Sequence, residues 1–156
     1  MELKIIKLVE GLDDICYSRQ GDCGLDLRAS GRWIVDLDSS KKEIEQDKYQ
    51  LKPGERILIK TGIKMAIPQG YWGNIRDRSG LAFKHEIHTL GGVIDSNYRE
   101  EISVIVVNHG ILSYDLTKNE RIAQIIIQKY ETVQVHYVQD LDSTNRSDGF
   151  GSSGTH

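Results

Sequence analysis

The sequence predicts an all-β fold, a jelly-roll-like β-sandwich or distorted barrel with at most one short helix. Three observations predict it. Apolar residues alternate with a period of two over long stretches, turn-forming pairs recur at short intervals, and helical periodicity is scarce. Gly24-Leu25-Asp26-Leu27 places a carboxylate within an apolar strand. The segment 31–50 is highly charged. Its weak helical pattern over Asp38–Tyr49 reads better as a solvated loop or hairpin, and the whole segment as a surface insertion. Pro53-Gly54 then turns the chain into a strand pair in which Ile57, Ile59, Ile63, Met65 and Ile67 share one parity, with a bend at Gly62.

Pro68-Gln69-Gly70 marks the next turn, and Ser79–Phe83 has room for one helical turn. Gly91-Gly92-Val93-Ile94-Asp95-Ser96-Asn97-Tyr98 reads as a hairpin, with Ser96-Asn97 as its turn and the glycines allowing close backbone approach. Ile102–Val107 and Ile122–Ile127 are almost continuously apolar and β-branched, as in strands covered on both faces, between two sheets or at a subunit interface. Asn108-His109-Gly110 and Lys118-Asn119 supply further turns, and Val133, Val135 and Tyr137 resume the alternation. Residues 1–141 are therefore expected to form one β domain. Residues 142–156, rich in Ser, Gly, Asp and Asn, are expected to form a flexible tail.

Composition narrows the function classes. A chain of 156 residues with 38% hydrophobic and 28% charged content is expected to be soluble and globular. A net charge of -3 offers no basic face for nucleic acid. No apolar run approaches the ~20 residues of a membrane span, and the first residues lack a signal-peptide layout. An intracellular, cytoplasmic protein is expected. Cys16 and Cys23 lack metal-ligand spacing and read as free thiols.

Several segments carry chemistry. The hairpin sets an acid, Asp95, and a phenol, Tyr98, on either side of a tight turn; alone, this reads first as an ordinary surface hairpin. Arg78-Ser79-Gly80 offers a guanidinium, a hydroxyl and backbone amides, a combination suited to phosphate. Asp26 in its apolar strand serves either a site or a structural hydrogen bond. Gln124, set among isoleucines, must bond backbone or face a ligand. In the tail, Arg146, Phe150, Gly151 and Ser152 could order over a ligand, with a ring for stacking and amides and hydroxyls for phosphate.

Taken in order, these segments resemble the homotrimeric dUTPase family. The family's five motifs resemble Cys23–Ser30, Asn74–Ala82, Gly91–Asn108, Asn119–Ile127 and Arg146–Gly154. The resemblance implies a jelly-roll subunit, a homotrimer, and three active sites each shared between chains. It implies hydrolysis of dUTP to dUMP and pyrophosphate by water attack on the α-phosphorus. This reaction limits uracil incorporation into DNA and supplies dUMP for dTMP synthesis.

Within that resemblance, Asp95 activates the water and Tyr98 lies against the deoxyribose. The backbone at Gly92, Val93 and Ile94 reads uracil. Arg78, Ser79, Gly80 and Gln124 hold phosphate, Arg146 stabilises its charge, and Phe150, Gly151 and Ser152 close over the ligand. Mg²⁺ is the implied cofactor, with Asp26 reaching it through water. The implied partners are dUTP and two identical subunits, with no nucleic acid and no membrane.

The chain departs from the family pattern in places. Arg146 stands four residues before Phe150, where the family's arginine usually stands five before. Glu100 and Asn119 replace frequent glycines, and Arg76-Asp77 before Arg78 suggests a local ion pair. A dCTP deaminase on the related fold is the nearest alternative, but it would need a carboxylate within 102–107, where there is none. A non-catalytic trimeric binding module is the third reading.

Overall fold

Two antiparallel sheets face each other across one apolar core in the computed structural model, which describes residues 1–37 and 40–144. The four-stranded sheet runs in the order β10 (Val93–Ile94), β8 (Tyr71–Arg76), β13 (Arg121–Lys129) and β2 (Gly24–Arg28). The five-stranded sheet runs β4 (Ser40–Glu45), β3 (Arg32–Leu37), β6 (Arg56–Lys60), β11 (Ser103–Asn108) and β9 (Ile87–Leu90). Two small ribbons complete it, β1 (Lys4–Lys7) with β7 (Ile63–Ala66) and β5 (Lys48–Leu51) with β12 (Tyr114–Thr117). Among the described residues the one helix is α1, Ser79–His85. The expected all-β sandwich is what forms.

Period-two alternation explains the core. Leu25 and Leu27 from one sheet, and Ile57, Ile59, Val104 and Val106 from the other, all point inward and are buried. The parity shared by Ile57, Ile59, Ile63, Met65 and Ile67 is a buried parity throughout. The second face of the two β-branched strands is not fully covered by this chain alone, which leaves the subunit-interface reading open. Ser103 and Ile105 in β11, and Ile126 and Ile127 in β13, keep partial exposure within this single chain.

Three expectations differ from the structure. Segment 31–50 is not simply a surface insertion. Its first strand, β3, sits between β4 and β6, and Trp33 is fully buried. The Trp33 indole donates to Gln46 O at 3.0 Å and stacks on Tyr49 at 5.8 Å. The charged edge strand β4 does lie largely in solvent.

Second, Val93–Asp95 does not pair with the chain after Tyr98. β10 pairs instead with β8, Val93 against Asn74 and Ile94 against Gly73. β11 meanwhile joins the opposite sheet through β6 and β9. The turn is real, since Tyr98 N donates to Asp95 O at 3.1 Å, but its arms diverge into two sheets. Third, Val133, Val135 and Tyr137 form no strand and are 81%, 73% and 98% exposed. The reason is a missing edge. Lys129 pairs with Tyr71, the first residue of β8, and Tyr130 N makes a last bond to Gly70 O, so the ladder ends there.

Turn chemistry is legible residue by residue. Asn108 is fully buried, and its amide donates to Leu51 O and Leu112 O while accepting from Gly110 N. Asn119, standing where the family often has glycine, adopts φ 67, a left-handed conformation that asparagine tolerates better than most residues.

Trp33→Ala removes the largest fully buried side chain of the core. It is expected to lower stability by about 3–5 kcal/mol, read from urea unfolding followed by circular dichroism.

Candidate active site

Alternation in β2 sends Leu25 and Leu27 into the core and therefore Asp26 to the opposite face. There Asp26 is the Cα partner of Gln124 on β13. Its side chain is only 15% exposed, so its charge needs partners, and three are present. Oδ1 accepts from Arg78 Nε at 3.0 Å, and Oδ2 accepts from Arg121 Nη1 at 3.1 Å and from Ser18 Oγ at 2.9 Å. Arg78 Nη1 also donates to Arg121 O at 3.3 Å. Asp26 thus aims two guanidinium groups from two separate segments into one place.

The place is a polar cavity of about 610 Å³. Ser18, Arg19, Asp22, Cys23 and Gly24 line it from the chain leading into β2. Arg78, Ser79 and Gly80 line it from the start of α1, and Arg121 and Gln124 from β13. Nη2 of both Arg78 and Arg121 makes no hydrogen bond or ion pair among the described residues. These donors, with the exposed Ser79 and Gly80, suit an oxyanion with several acceptor oxygens.

Gln124 satisfies both options open to it from sequence. It donates to Asp77 O at 2.8 Å and also lines the cavity. Gly24 makes this possible, because a Cβ there would collide with the Gln124 side chain.

Asp77 behaves differently from expectation, because its carboxylate pairs with neither adjacent arginine. Oδ1 accepts from Thr89 N at 2.7 Å and Thr89 Oγ1 at 2.6 Å, and Oδ2 lies 2.7 Å from His88 Nδ1. Strand β9 thereby clamps the residue just before Arg78-Ser79-Gly80. Burial alone would raise the Asp77 carboxyl pKa, but the Thr89 and His88 bonds outweigh it and hold the group below its ordinary 3.8.

The acid and phenol of the third segment lie elsewhere. Neither Asp95 nor Tyr98 lines the cavity that Ser79, Gly80 and Gln124 share. Asp95 is exposed at the turn after β10. Tyr98 is 38% exposed, and its hydroxyl donates to Glu101 O at 3.2 Å. The Arg99 guanidinium donates to Ser96 O at 2.6 Å and Tyr98 O at 2.8 Å, bracing the turn. Val93 is exposed and Ile94 half-buried. Gly92, at φ 100, brings its backbone against β8, where Ile75 N donates to Gly92 O at 2.8 Å and a Cβ would sit 2.8 Å from Ile75 O. Its close approach serves strand β8. Arg146, Phe150, Gly151 and Ser152 fall outside the described residues.

Asp26 bears on the implied metal. Asp26 accepts one bond at Oδ1 and two at Oδ2, so Oδ1 keeps capacity to accept a hydrogen bond from a metal-bound water. That capacity is compatible with the water-mediated role the resemblance implies for Asp26.

Sequence reasoning missed Ser18, Arg19 and Arg121. Arg121 was hidden by parity, because strict alternation puts 121 and 124 on opposite faces. A register shift between Arg121 and Ala123 restores them to one side.

The fold is a β-sandwich, and its polar cavity presents donors suited to an anionic ligand. The family model for dUTPase matches residues 44–154. Deoxyuridine 5'-triphosphate nucleotidohydrolase of Trichodesmium erythraeum is 42% identical over 158 residues, covering 99% of this chain and 100% of the relative. The enzyme of the same name from Fusobacterium nucleatum subsp. nucleatum is 40% identical over 157 residues, covering 99% and 97%. The chain belongs to the dUTPase family. Among solved structures, a variant of Staphylococcus bacteriophage 80alpha dUTPase with dUpNHpp superposes with a TM-score of 0.81 at 23% identity, covering 98% of each chain. A dUTPase variant from phage phi11 of S. aureus, described with a structural Mg(II) ion, reaches 0.75 at 21% identity, covering 92% of this chain and 100% of its own.

The Asp77 clamp has a pH signature. A carboxyl held below its ordinary value contributes stability that is fully present above 3.8 and lost as pH falls through the lower folded value. Melting temperature followed from about pH 5 down to about pH 2 is expected to fall more steeply for the wild type than for Asp77→Asn. Parallel curves would show that the clamp does not depend on ionised Asp77.

Proposed function

We propose that the protein hydrolyses dUTP to dUMP and pyrophosphate, at sites that no single chain completes. One observation carries the reading. The arginine-lined cavity that suits phosphate and the turn bearing Asp95 and Tyr98 are separate in one subunit. The separation follows if the turn of one subunit faces the cavity of a second in a homotrimer, with the tail of a third closing over both.

Each residue then has a task that its chemistry supports. Arg78, Ser79, Gly80 and Gln124 bind phosphate oxygens, with Asp26 and Asp77 holding the arginine and the amide in place. The exposed carboxylate of Asp95 accepts a proton from the water attacking the α-phosphorus, a role needing an ionised acid within hydrogen-bond reach. The proton thus leaves the nucleophile as the bond to phosphorus forms, and pyrophosphate departs with the bridging oxygen. Tyr98 packs on the deoxyribose and leaves no space for a 2′-hydroxyl, while the backbone at Gly92, Val93 and Ile94 reads the uracil edge. Cytosine presents a donor where uracil presents an acceptor, and a mispaired buried donor discriminates strongly. Mg²⁺ bound with the triphosphate would supply charge neutralisation, and Asp26 would reach it through water. Arg146 adds positive charge, and Phe150, Gly151 and Ser152 cover the ligand. Such chemistry belongs inside the cell; among the described residues no helix is long and apolar enough to cross a membrane.

Deamination gains no support. Glu101, the acid nearest to β11, is buried and bonded to Arg32 and to Gly62 N, with Lys60 at 3.7 Å, so it braces the fold.

The test is to incubate the purified protein with dUTP, dCTP, dTTP and UTP, with and without Mg²⁺, and identify the products by chromatography. Only dUTP is expected to yield its monophosphate and pyrophosphate; release of ammonia from dCTP would overturn the reading. Asp95→Asn is expected to lower turnover at least about 100-fold while leaving dUTP affinity within a few-fold, measured by calorimetry on the same preparation. Light scattering is expected to give three times the chain mass, and a fully active monomer would sink the shared-site model.

A further inference from the structure

The charge of the phosphate cavity turns on a residue that its family resemblance leaves without a role. Three arginines and two aspartates line it. Arg78 and Arg121 are both bonded to Asp26, and Asp22 carries the second negative charge. Without Arg19 the two signs balance, and a neutral cavity gives weak attraction to a polyanionic triphosphate. With Arg19 the cavity is positive.

The backbone at Arg19 is also held in place. Its backbone N donates to Asp22 Oδ2 at 2.9 Å, and Asp22 N returns a bond to Arg19 O at 3.2 Å, closing a small turn. One residue earlier, Ser18 is tied to Asp26. The turn is thus anchored at the carboxylate that positions the other two arginines. Meanwhile the Arg19 guanidinium makes no hydrogen bond or ion pair among the described residues, so all five of its N–H donors are available.

We propose that Arg19 is a further substrate-binding residue that grips the pyrophosphate portion of the triphosphate. It does so by charge-assisted hydrogen bonds from a turn poised at the cavity wall. The inference rests on the reading of this cavity as the phosphate site. Arg19 bears on the departing pyrophosphate and not on the nucleoside, so ligands that share only one of these parts separate its contribution.

The experiment compares wild type, Arg19→Ala, Arg19→Lys and Ser79→Ala as full chains, each confirmed folded by circular dichroism. Inhibition of dUTP turnover by inorganic pyrophosphate and by dUMP is measured in Mg²⁺ buffer at low and high salt. A charge-assisted bond at an exposed site predicts that Arg19→Ala weakens pyrophosphate inhibition and raises KM for dUTP by about ten-fold. The dUMP constant is expected to move less than two-fold. Arg19→Lys should recover part of the loss, and high salt should shrink the difference. If Ser79→Ala weakens pyrophosphate binding and Arg19→Ala does not, the role of Arg19 is overturned while the cavity assignment stands. If neither variant affects pyrophosphate, the cavity assignment itself fails. A loss for pyrophosphate and dUMP alike would show a general effect on the site and would also refute the proposal.

Discussion

The ion pairs of Asp26 with Arg78 and Arg121 are the interaction on which the rest of the site depends. One mostly buried carboxylate joins segments 52 and 95 residues away in sequence. Its importance is less the energy of each pair than the geometry imposed. Two flexible arginines are held with Nη2 atoms to spare, ahead of any ligand, so less side-chain entropy remains to be lost on binding. Removal of the carboxylate alone would leave two guanidinium groups close together with no opposite charge between them. The sandwich makes the pair possible, because a strand that buries Leu25 and Leu27 must turn Asp26 the other way.

Around that centre, supporting contacts come from every side. Strand β9 fixes the carboxylate of Asp77, and the Asp77 carbonyl fixes Gln124. Gly24 leaves the space that the glutamine crosses. At the other end of the chemistry, Arg99 ties the turn that presents Asp95 and Tyr98. Glu101, bonded to Arg32 and Gly62 N, anchors the chain as it leaves that turn for β11. Each half is braced by its own hydrogen bonds, and the two halves line different parts of the surface. Such a division suits an enzyme that assembles its site from neighbouring subunits, since braced halves meet with little further ordering.

Much of this was legible in the sequence wherever the signal was local. Period-two alternation identified the buried parity from Ile57 to Ile67, and Asn108-His109-Gly110 marked a turn whose buried asparagine makes the backbone bonds itself. Arg78, Ser79, Gly80 and Gln124 could be read as a set suited to phosphate, and they do share a cavity. The misreadings arose where a local pattern had more than one tertiary solution. High charge over 31–50 suggested a solvated insertion, yet one tryptophan at the right parity buried β3 in the sheet. Alternation at Val133, Val135 and Tyr137 was real, but a strand also needs an edge to pair with, and β8 had already ended.

The sequence by itself determined the fold class, which follows from period and turn chemistry, and the family, which follows from the resemblance carried by motif order along the chain. Only the tertiary structure decided which residues meet. It sent the arms of the Gly91–Tyr98 turn into different sheets, gave Asp77 to Thr89 and His88 instead of a neighbouring arginine, and left the Arg19 guanidinium without a partner among the described residues. A shift of register between Arg121 and Ala123 brought Arg121 and Gln124 to the same side. Pairing across sheets depends on register, and register is a property of two strands together, which neither strand's own residues can state.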